Sequence, residues 1–299
     1  MQFLSWIPMN EVLSPQFMEV LFKYIRLTSS PTSLTAFACV NEILAQNYVP
    51  KEFSDFVVSI FKQLFLLLQE LTQSREGLSQ LEDEYVDQFT RFTSLFVSHH
   101  LRRVEQNEAF PIIPFLSLLY QYTFMQTSLE GFLSCLEIWE AFLDYLLSQQ
   151  ENNQSGIIYE RYADGLAALT SELTQKSQFQ SNAELLSTLD AEDSTEGAND
   201  SELETYYTGC LNIIGKVALL YPDKILGILP RVIDRLQSVL QVHNLAPNSE
   251  DYANLLRDAE VLLRIFSQAA SGFVCHSSLI CLFMRVLMRD LYEDRALWM

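Results

Sequence analysis

The stretch FSDFVVSIFKQLFLLLQEL, residues 53–71, decides the fold class. Its apolar residues recur at intervals of three and four, which places them along one stripe of an amphipathic helix. Pro50 stands shortly before the stretch, where a residue without an amide hydrogen is tolerated. No strand-like alternation of polar and apolar residues competes with this pattern over a useful length. The stretch therefore predicts an amphipathic α-helix.

The same spacing recurs along almost the whole chain and predicts eleven helices. Proline residues mark several of the predicted joins, among them Pro31, Pro111 and Pro222. The predicted helices cover residues 14–28, 33–47, 51–73, 80–106, 111–124, 128–150, 157–179, 201–221, 223–243, 250–272 and 276–293.

The spacing of these helices indicates a repeat. Alternate helices begin near residues 33, 80, 128, 201 and 250, so the successive steps are about 47, 48, 73 and 49 residues. A step near 47 residues that holds two helices matches the period of HEAT and armadillo repeats. In such arrays each helical hairpin buries one face on the preceding hairpin and one on the next. We therefore predict an all-α fold, an α-solenoid of HEAT-type antiparallel helix pairs (an α–α superhelix).

Composition limits the classes of partner. The chain has nine glycines in 299 residues, a scarcity that disfavours all-β and nucleotide-binding folds, which use glycine in turns and phosphate loops. A formal net charge of −19 disfavours nucleic acid and anionic lipid as partners and favours a basic protein surface. The alternative is that the acidity only keeps an apolar-rich chain in solution. The longest apolar runs, such as 61–71 and 279–288, are too short to cross a bilayer.

The one long step in the repeat contains an acidic segment, residues 189–204, which has no lysine or arginine. We predict that it is an insertion between the HEAT-type hairpins of residues 1–188 and those of residues 205–299, which continue the first part. Its carboxylates are candidates for binding a basic partner, and the alternative is a solvated connector. They belong to Asp190, Glu192, Asp193, Glu196, Asp200, Glu202 and Glu204.

Motifs of common catalytic and nucleotide-binding sites are missing from the sequence, which has no GxGxxG, P-loop, GxSxG or HExxH. His99 and His100 are adjacent, so on a helix they point about 100° apart and cannot share a metal-binding face. The Cys/His cluster of Cys275, His276 and Cys281 lacks a fourth ligand and the usual spacing. We therefore expect no enzymatic activity, no cofactor and no bound metal.

Cysteine usage indicates a reducing compartment. The five cysteines are odd in number, mostly far apart and surrounded by apolar residues. Such residues are typical of reduced, buried thiols in a cytosolic or nuclear protein. They are Cys39, Cys135, Cys210, Cys275 and Cys281.

Several stretches of the sequence resemble the exportin branch of the karyopherin-β, or importin-β, family. The opening FLSWIPM at residues 3–9, with VLFKY at 20–24, is similar to a signature of exportins. The resemblance is strong over about residues 3–222. Further similar segments are CVNEIL (39–44), VPKEF (49–53), FVSHHLRRVE (96–105), EGFLSCLEIW (130–139) and FLDYL (142–146).

This resemblance implies a nuclear export receptor that shuttles between nucleus and cytoplasm and binds Ran in its GTP form. It also implies protein cargo, within the branch actin carried with profilin, and nuclear pore proteins as further partners. Members of the family are several times longer, so we expect this chain to be an internal fragment. The alternative is a free-standing HEAT-repeat scaffold of another protein assembly, without Ran dependence.

Overall fold

The computed structural model describes residues 14–28, 30–45, 54–105, 110–151, 157–192, 201–225, 227–228 and 250–270. These ranges contain twelve α-helices with defined first and last residues, and no β-strand. The helices are α1 (Pro15–Ile25), α2 (Pro31–Leu44), α3 (Ser54–Leu71), α4 (Arg75–Ser79), α5 (Asp83–His99), α6 (Leu101–Val104), α7 (Ile112–Met125), α8 (Leu129–Glu151), α9 (Ile157–Lys176), α10 (Phe179–Glu192), α11 (Glu202–Leu220) and α12 (Glu250–Ala270).

The predicted all-α class with HEAT-type helix pairs is confirmed. The apolar stripe that predicts a helix at residues 53–71 forms α3, and its Ile60, Leu64 and Leu68 are buried. The predicted helix at 223–243 lies mostly outside the described residues, and the one at 276–293 lies wholly outside them.

The helix boundaries differ from the prediction at three places. The predicted helix 80–106 is divided at His100, whose φ of −121° and ψ of −20° leave the helical region. The five-residue α4 is too short for apolar periodicity to reveal it. Helix α10 runs into the predicted acidic insertion, and it contains the non-helical residue Asn182.

The chain divides into two compact units, Met1–Tyr145 and Leu146–Met299. The core of the first unit is rich in aromatic rings contributed by α1, α2 and α5. The ring of Phe37 meets that of Tyr85 edge-to-face, with centroids 5.1 Å apart, and also lies 6.2 Å from that of Phe92. Such tilted and edge-to-face pairs add to the free energy gained by burying the rings. The predicted division at residues 189–204 stays a prediction.

Two buried helix ends of the first unit receive hydrogen bonds from distant side chains. The last carbonyls of a helix have no partner within it, and a buried carbonyl must find one elsewhere. The Tyr85 hydroxyl donates to the carbonyl of Ile25, the last residue of α1, at 3.1 Å. The His100 Nε2 lies 3.2 Å from the carbonyl of Leu44, the last residue of α2, and must donate because a carbonyl only accepts. These bonds set the positions of α1 and α2 against the α5 region.

Buried threonines connect α5 with α7 and α7 with α8 in this unit. The hydroxyls of Thr90 in α5 and Tyr122 in α7 lie 2.8 Å apart. The indole Nε1 of Trp139 in α8 donates to Thr123 Oγ1 at 3.0 Å. Both threonine hydroxyls also donate to the carbonyl four residues earlier in their own helix, so each one serves as donor and acceptor.

The second unit is built around α11, which buries Tyr206, Ile213 and Val217 among others. Helix α12 packs along α11. Gly215 faces the Gln268 side chain, where a Cβ would come within 2.7 Å of Nε2 and 2.9 Å of Cγ, so a larger residue would force that side chain to shift. The Tyr206 hydroxyl donates to the carbonyl at the end of α9, Lys176, at 3.3 Å. A distant tyrosine therefore satisfies a helix end in this unit too.

The substitution Tyr85→Phe tests this capping. It should lower the free energy of unfolding by about 1–3 kcal/mol, because it leaves the buried Ile25 carbonyl without its partner. The measurement is urea denaturation followed by circular dichroism. The matched control is Tyr24→Phe in α1, where the side chain is 45% exposed, and it should change the midpoint little. Equal effects of the two substitutions would contradict the role of the Tyr85 hydroxyl.

The imidazole of His100 predicts a pH dependence of stability. Burial, and secondarily the neighbouring His99, Arg103 and Arg102, hold the pKa of His100 below its usual 6.5, although the Leu44 carbonyl opposes this shift. The unfolded chain therefore binds the proton more readily, and stability falls as the pH drops below about 6.5, by up to about 1.4 kcal/mol per pH unit.

His100→Gln should therefore show a shallower loss of stability than wild type between pH 7 and pH 5, measured from urea midpoints. His99→Gln serves as the control for the loss of one histidine, and it should keep a slope close to that of wild type because His99 is only a minor cause of the low pKa of His100. If both variants keep the wild-type slope, His100 does not contribute to the pH dependence.

Candidate partner-binding surface

The acidic segment predicted at residues 189–204 is helical at both described ends. Residues 189–192 form the last turn of α10, and Ser201 caps α11, where its Oγ accepts from the Glu204 N–H at 2.9 Å. Acidic residues in the first turn of a helix are favoured by its dipole. Both described ends of the segment are therefore helical turns, and its role as an insertion between hairpins stays a prediction. Asp190, Glu192, Glu202 and Glu204 fall in these two turns, and Asp193, Glu196 and Asp200 lie outside the described residues.

Arginines of α12 bind the carboxylates at both ends of this segment. Asp190 Oδ2 lies 2.7 Å from Arg257 Nη2. The Nη1 of Arg264 donates to both carboxylate oxygens of Glu204, at 2.8 and 2.7 Å, and its Nη2 donates to Glu260 at 2.8 Å. Arg257 and Arg264 are seven residues apart, which is two helical turns, so they lie on one face of α12 about 10 Å apart. Two of the predicted partner-binding carboxylates are thus paired within the chain.

These ion pairs are partly exposed and individually weak. The side chains of Arg257 and Asp190 are 43% and 35% exposed, and those of Arg264 and Glu204 are 36% and 46% exposed. Pairs of this kind contribute about 0–1 kcal/mol each. The hydrogen bond to Glu204 is the main cause that raises the pKa of Arg264. These pairs therefore define where the ends of α10 and α11 lie along α12, and they add little to the free energy of unfolding.

A buried carboxylate lies beside these pairs. Asp258 is 2% exposed, and its two oxygens accept from the backbone N–H groups of Phe179 and Gln180, the latter at 3.2 Å. The guanidinium of Arg257 lies over the Phe179 ring, 5.0 Å from its centroid. Asp258 therefore caps the N-terminus of α10 from α12. This role was not predicted, although Asp258 lies three residues before the buried Val261 on the same face of α12, which is a detectable signal.

A buried tyrosine lies next to these groups, and its hydroxyl is poorly hydrogen-bonded. Tyr207 is 6% exposed, and its hydroxyl finds no hydrogen-bond partner within the part of the chain that the structure describes. Burial, and then the charge of Asp258, raise the pKa of Tyr207 above its usual value, so the hydroxyl stays neutral. An unpaired buried hydroxyl is an unfavourable feature of this packing.

The described residues that were candidates for metal or thiol chemistry do not form a reactive site. Over the described ranges, no three His, Cys, Asp or Glu side chains are grouped to hold a metal ion. Burial raises the pKa of Cys210 to about 12 and also raises that of Cys135, so both thiols stay protonated, as predicted for buried cysteines. Cys39 is half-buried. The predicted cluster of residues 275, 276 and 281 lies outside the described residues.

An apolar cavity of about 390 Å³ lies beside α3 in the first unit. Among the described residues that line it, the one titratable group is Lys62, so those residues offer no acid–base pair. The remaining lining residues are Val58, Phe61, Phe65, Leu66, Phe110 and Pro111. Across the described helices, none is both long and apolar enough to span a membrane.

Comparison with known proteins identifies relatives. The chain is 34% identical over 287 residues to exportin-6 of Dictyostelium discoideum, and the alignment covers 92% of this chain and 27% of that protein. It is 31% identical over 316 residues to exportin-6 of Homo sapiens, with 90% and 28% covered, and 34% identical over 263 residues to exportin-6-B of Xenopus laevis, with 73% and 23% covered.

The chain thus spans about a quarter of the length of the curated relatives it matches. No profile of a known protein family matches it, and no solved structure matches it. The resemblance drawn from the quoted segments is confirmed by identities of 30–34% over most of this chain. With its HEAT-type helix pairs, the chain is a relative of the curated proteins named exportin-6 over about nine tenths of its length.

Proposed function

We propose that this chain is part of a nuclear export receptor that binds Ran in its GTP form together with a protein cargo. The observation that carries the proposal is the similarity to proteins named exportin-6 over about nine tenths of the chain. Helical hairpins suit this role, because stacked repeats present extended surfaces for protein partners. The role is that of a carrier and requires no catalysis.

The proposed cargo is actin carried with profilin, and nuclear pore proteins are proposed as further partners. Both follow from the resemblance to the exportin branch rather than from a site in the described residues. A carrier of this kind shuttles between nucleus and cytoplasm, which is the localisation we propose. Neither nucleic acid nor membrane insertion is part of the proposal, in agreement with the net charge of −19.

We further propose that the acidic segment of residues 189–204 attracts a basic surface of Ran. The ion pairs with Arg257 and Arg264 give its carboxylates two roles. Asp190 and Glu204 tie the ends of the segment to α12, and Glu192, Asp193, Glu196 and Asp200 are the charges proposed to act on the partner. Exposed charges are screened within about 8 Å at physiological salt, so the segment should act mainly on the rate of association.

The receptor function predicts dependence on the nucleotide state of Ran. The full-length protein should be retained on immobilised Ran loaded with GTP and far less on Ran loaded with GDP, and actin with profilin should increase its retention on the GTP form. The measurement is a pull-down with purified components. Equal retention on the two nucleotide forms would contradict the receptor proposal and favour a scaffold without Ran dependence.

The role of the acidic segment predicts a kinetic effect. Changing Glu192, Asp193, Glu196 and Asp200 to Gln or Asn in the full-length receptor should lower the association rate with Ran in its GTP form several-fold at low salt. The dependence of that rate on salt should weaken, and the dissociation rate should change little. Stopped-flow or surface plasmon resonance at low and physiological salt measures both rates.

A matched variant separates local attraction from net charge. Neutralising Glu42, Glu76, Glu82 and Glu137, which are exposed and lie in the first unit, changes the net charge by the same four units. This control should keep an association rate close to that of wild type. If the two variants behave alike, the acidic segment is a solvated connector.

A further inference from the structure

Helix α10, residues 179–192, is weakly held by its own apolar surface. Its buried apolar side chains, among those the structure describes, are Phe179, Leu186 and Leu189, whereas α11 buries eight such side chains. The backbone of α10 is also interrupted at Asn182, with φ of −147° and ψ of 37°. A short, interrupted helix that buries little apolar surface is marginal without further contacts.

Two adjacent residues of α12 supply those contacts at both ends of α10. Asp258 accepts hydrogen bonds from the first N–H groups of the helix, at Phe179 and Gln180. Arg257 lies over the Phe179 ring at one end and pairs with Asp190 at the other, at 2.7 Å. Polar groups of α12 therefore fix the two ends of α10, and the buried Phe179, Leu186 and Leu189 add apolar packing.

One buried hydroxyl near the contact between α10 and α12 is unfavourably placed. The hydroxyl of Tyr207 is buried without a hydrogen-bond partner among the described residues. An unpaired buried hydroxyl is unfavourable, and the charges that act on Tyr207 include Asp190 of α10 and Arg257 and Asp258 of α12. The pair of α11 and α12 has its own apolar core, with Ile213 and Val217 of one helix and Leu262 and Ile265 of the other all buried.

We propose that α10 is a strap, fastened to α12 by Arg257 and Asp258, which opens as a unit while α11 and α12 remain packed. The acidic residues that follow Glu192 begin where the strap ends, so its opening changes where those charges are presented. The device depends on contacts within this chain, and it stands whether or not the acidic segment binds Ran.

Hydrogen–deuterium exchange of the full-length protein, read by mass spectrometry, tests the strap. In wild type, peptides from residues 179–192 should exchange at least tenfold faster than those from 202–220, because local opening needs less free energy than unfolding the α11–α12 pair. Asp258→Asn keeps the shape of the side chain and removes its charge. It should accelerate exchange in 179–192 by a further tenfold or more and change exchange in 202–220 less than twofold.

Two further variants make the test specific. Asp251→Asn changes an exposed carboxylate of the same helix and should leave exchange in 179–192 unchanged. Leu186→Ala removes a buried anchor of the strap and should accelerate the same peptides as Asp258→Asn does. Equal exchange of 179–192 and 202–220 in wild type would overturn the proposal, because it indicates one cooperative unit. An Asp258→Asn variant that accelerates both regions together, or neither, would also overturn it.

Discussion

The buried end of a helix is the constraint on which both units depend. A helix leaves carbonyls and N–H groups unpaired at its ends, and in a stack of short helices many ends lie against the next hairpin. Here side chains from distant helices pair them: Tyr85 with Ile25, His100 with Leu44, and Asp258 with the start of α10. Each bond is directional, so it specifies how far one helix slides along another. Apolar burial alone would leave that position loosely defined.

The contrast between α3 and α10 shows what local sequence can reveal. Helix α3 was predictable because its apolar residues repeat at helical spacing, and those residues are the ones buried. Helix α10 was not, because serine, asparagine and threonine give it a weak pattern and its capping carboxylate is 79 residues away. The acidic candidates were recognised by composition. Their pairing with Arg257 and Arg264 depends on how α12 packs, which no local pattern encodes.

Charge in this chain is distributed between two uses. Most of the carboxylates contribute to a net charge of −19, which governs solubility and long-range attraction. A few are committed to positions inside the fold, such as Asp258, and these act through hydrogen bonds rather than through the overall field. The same residue type therefore has different consequences on substitution. Neutralising an exposed carboxylate alters encounter with partners, whereas neutralising a capping carboxylate alters which helix is in place.

The long sequence separation of the helix-end bonds has a consequence for synthesis on the ribosome. The carbonyl of Ile25 pairs with a tyrosine that is synthesised 60 residues later. The N-terminus of α10 pairs with an aspartate that is synthesised 79 residues after Phe179. At elongation rates of about 5–20 residues per second, each delay is on the order of 3–16 seconds. A newly made hairpin therefore spends that time with incompletely paired ends, available to chaperones, and it matures only when the next hairpin emerges.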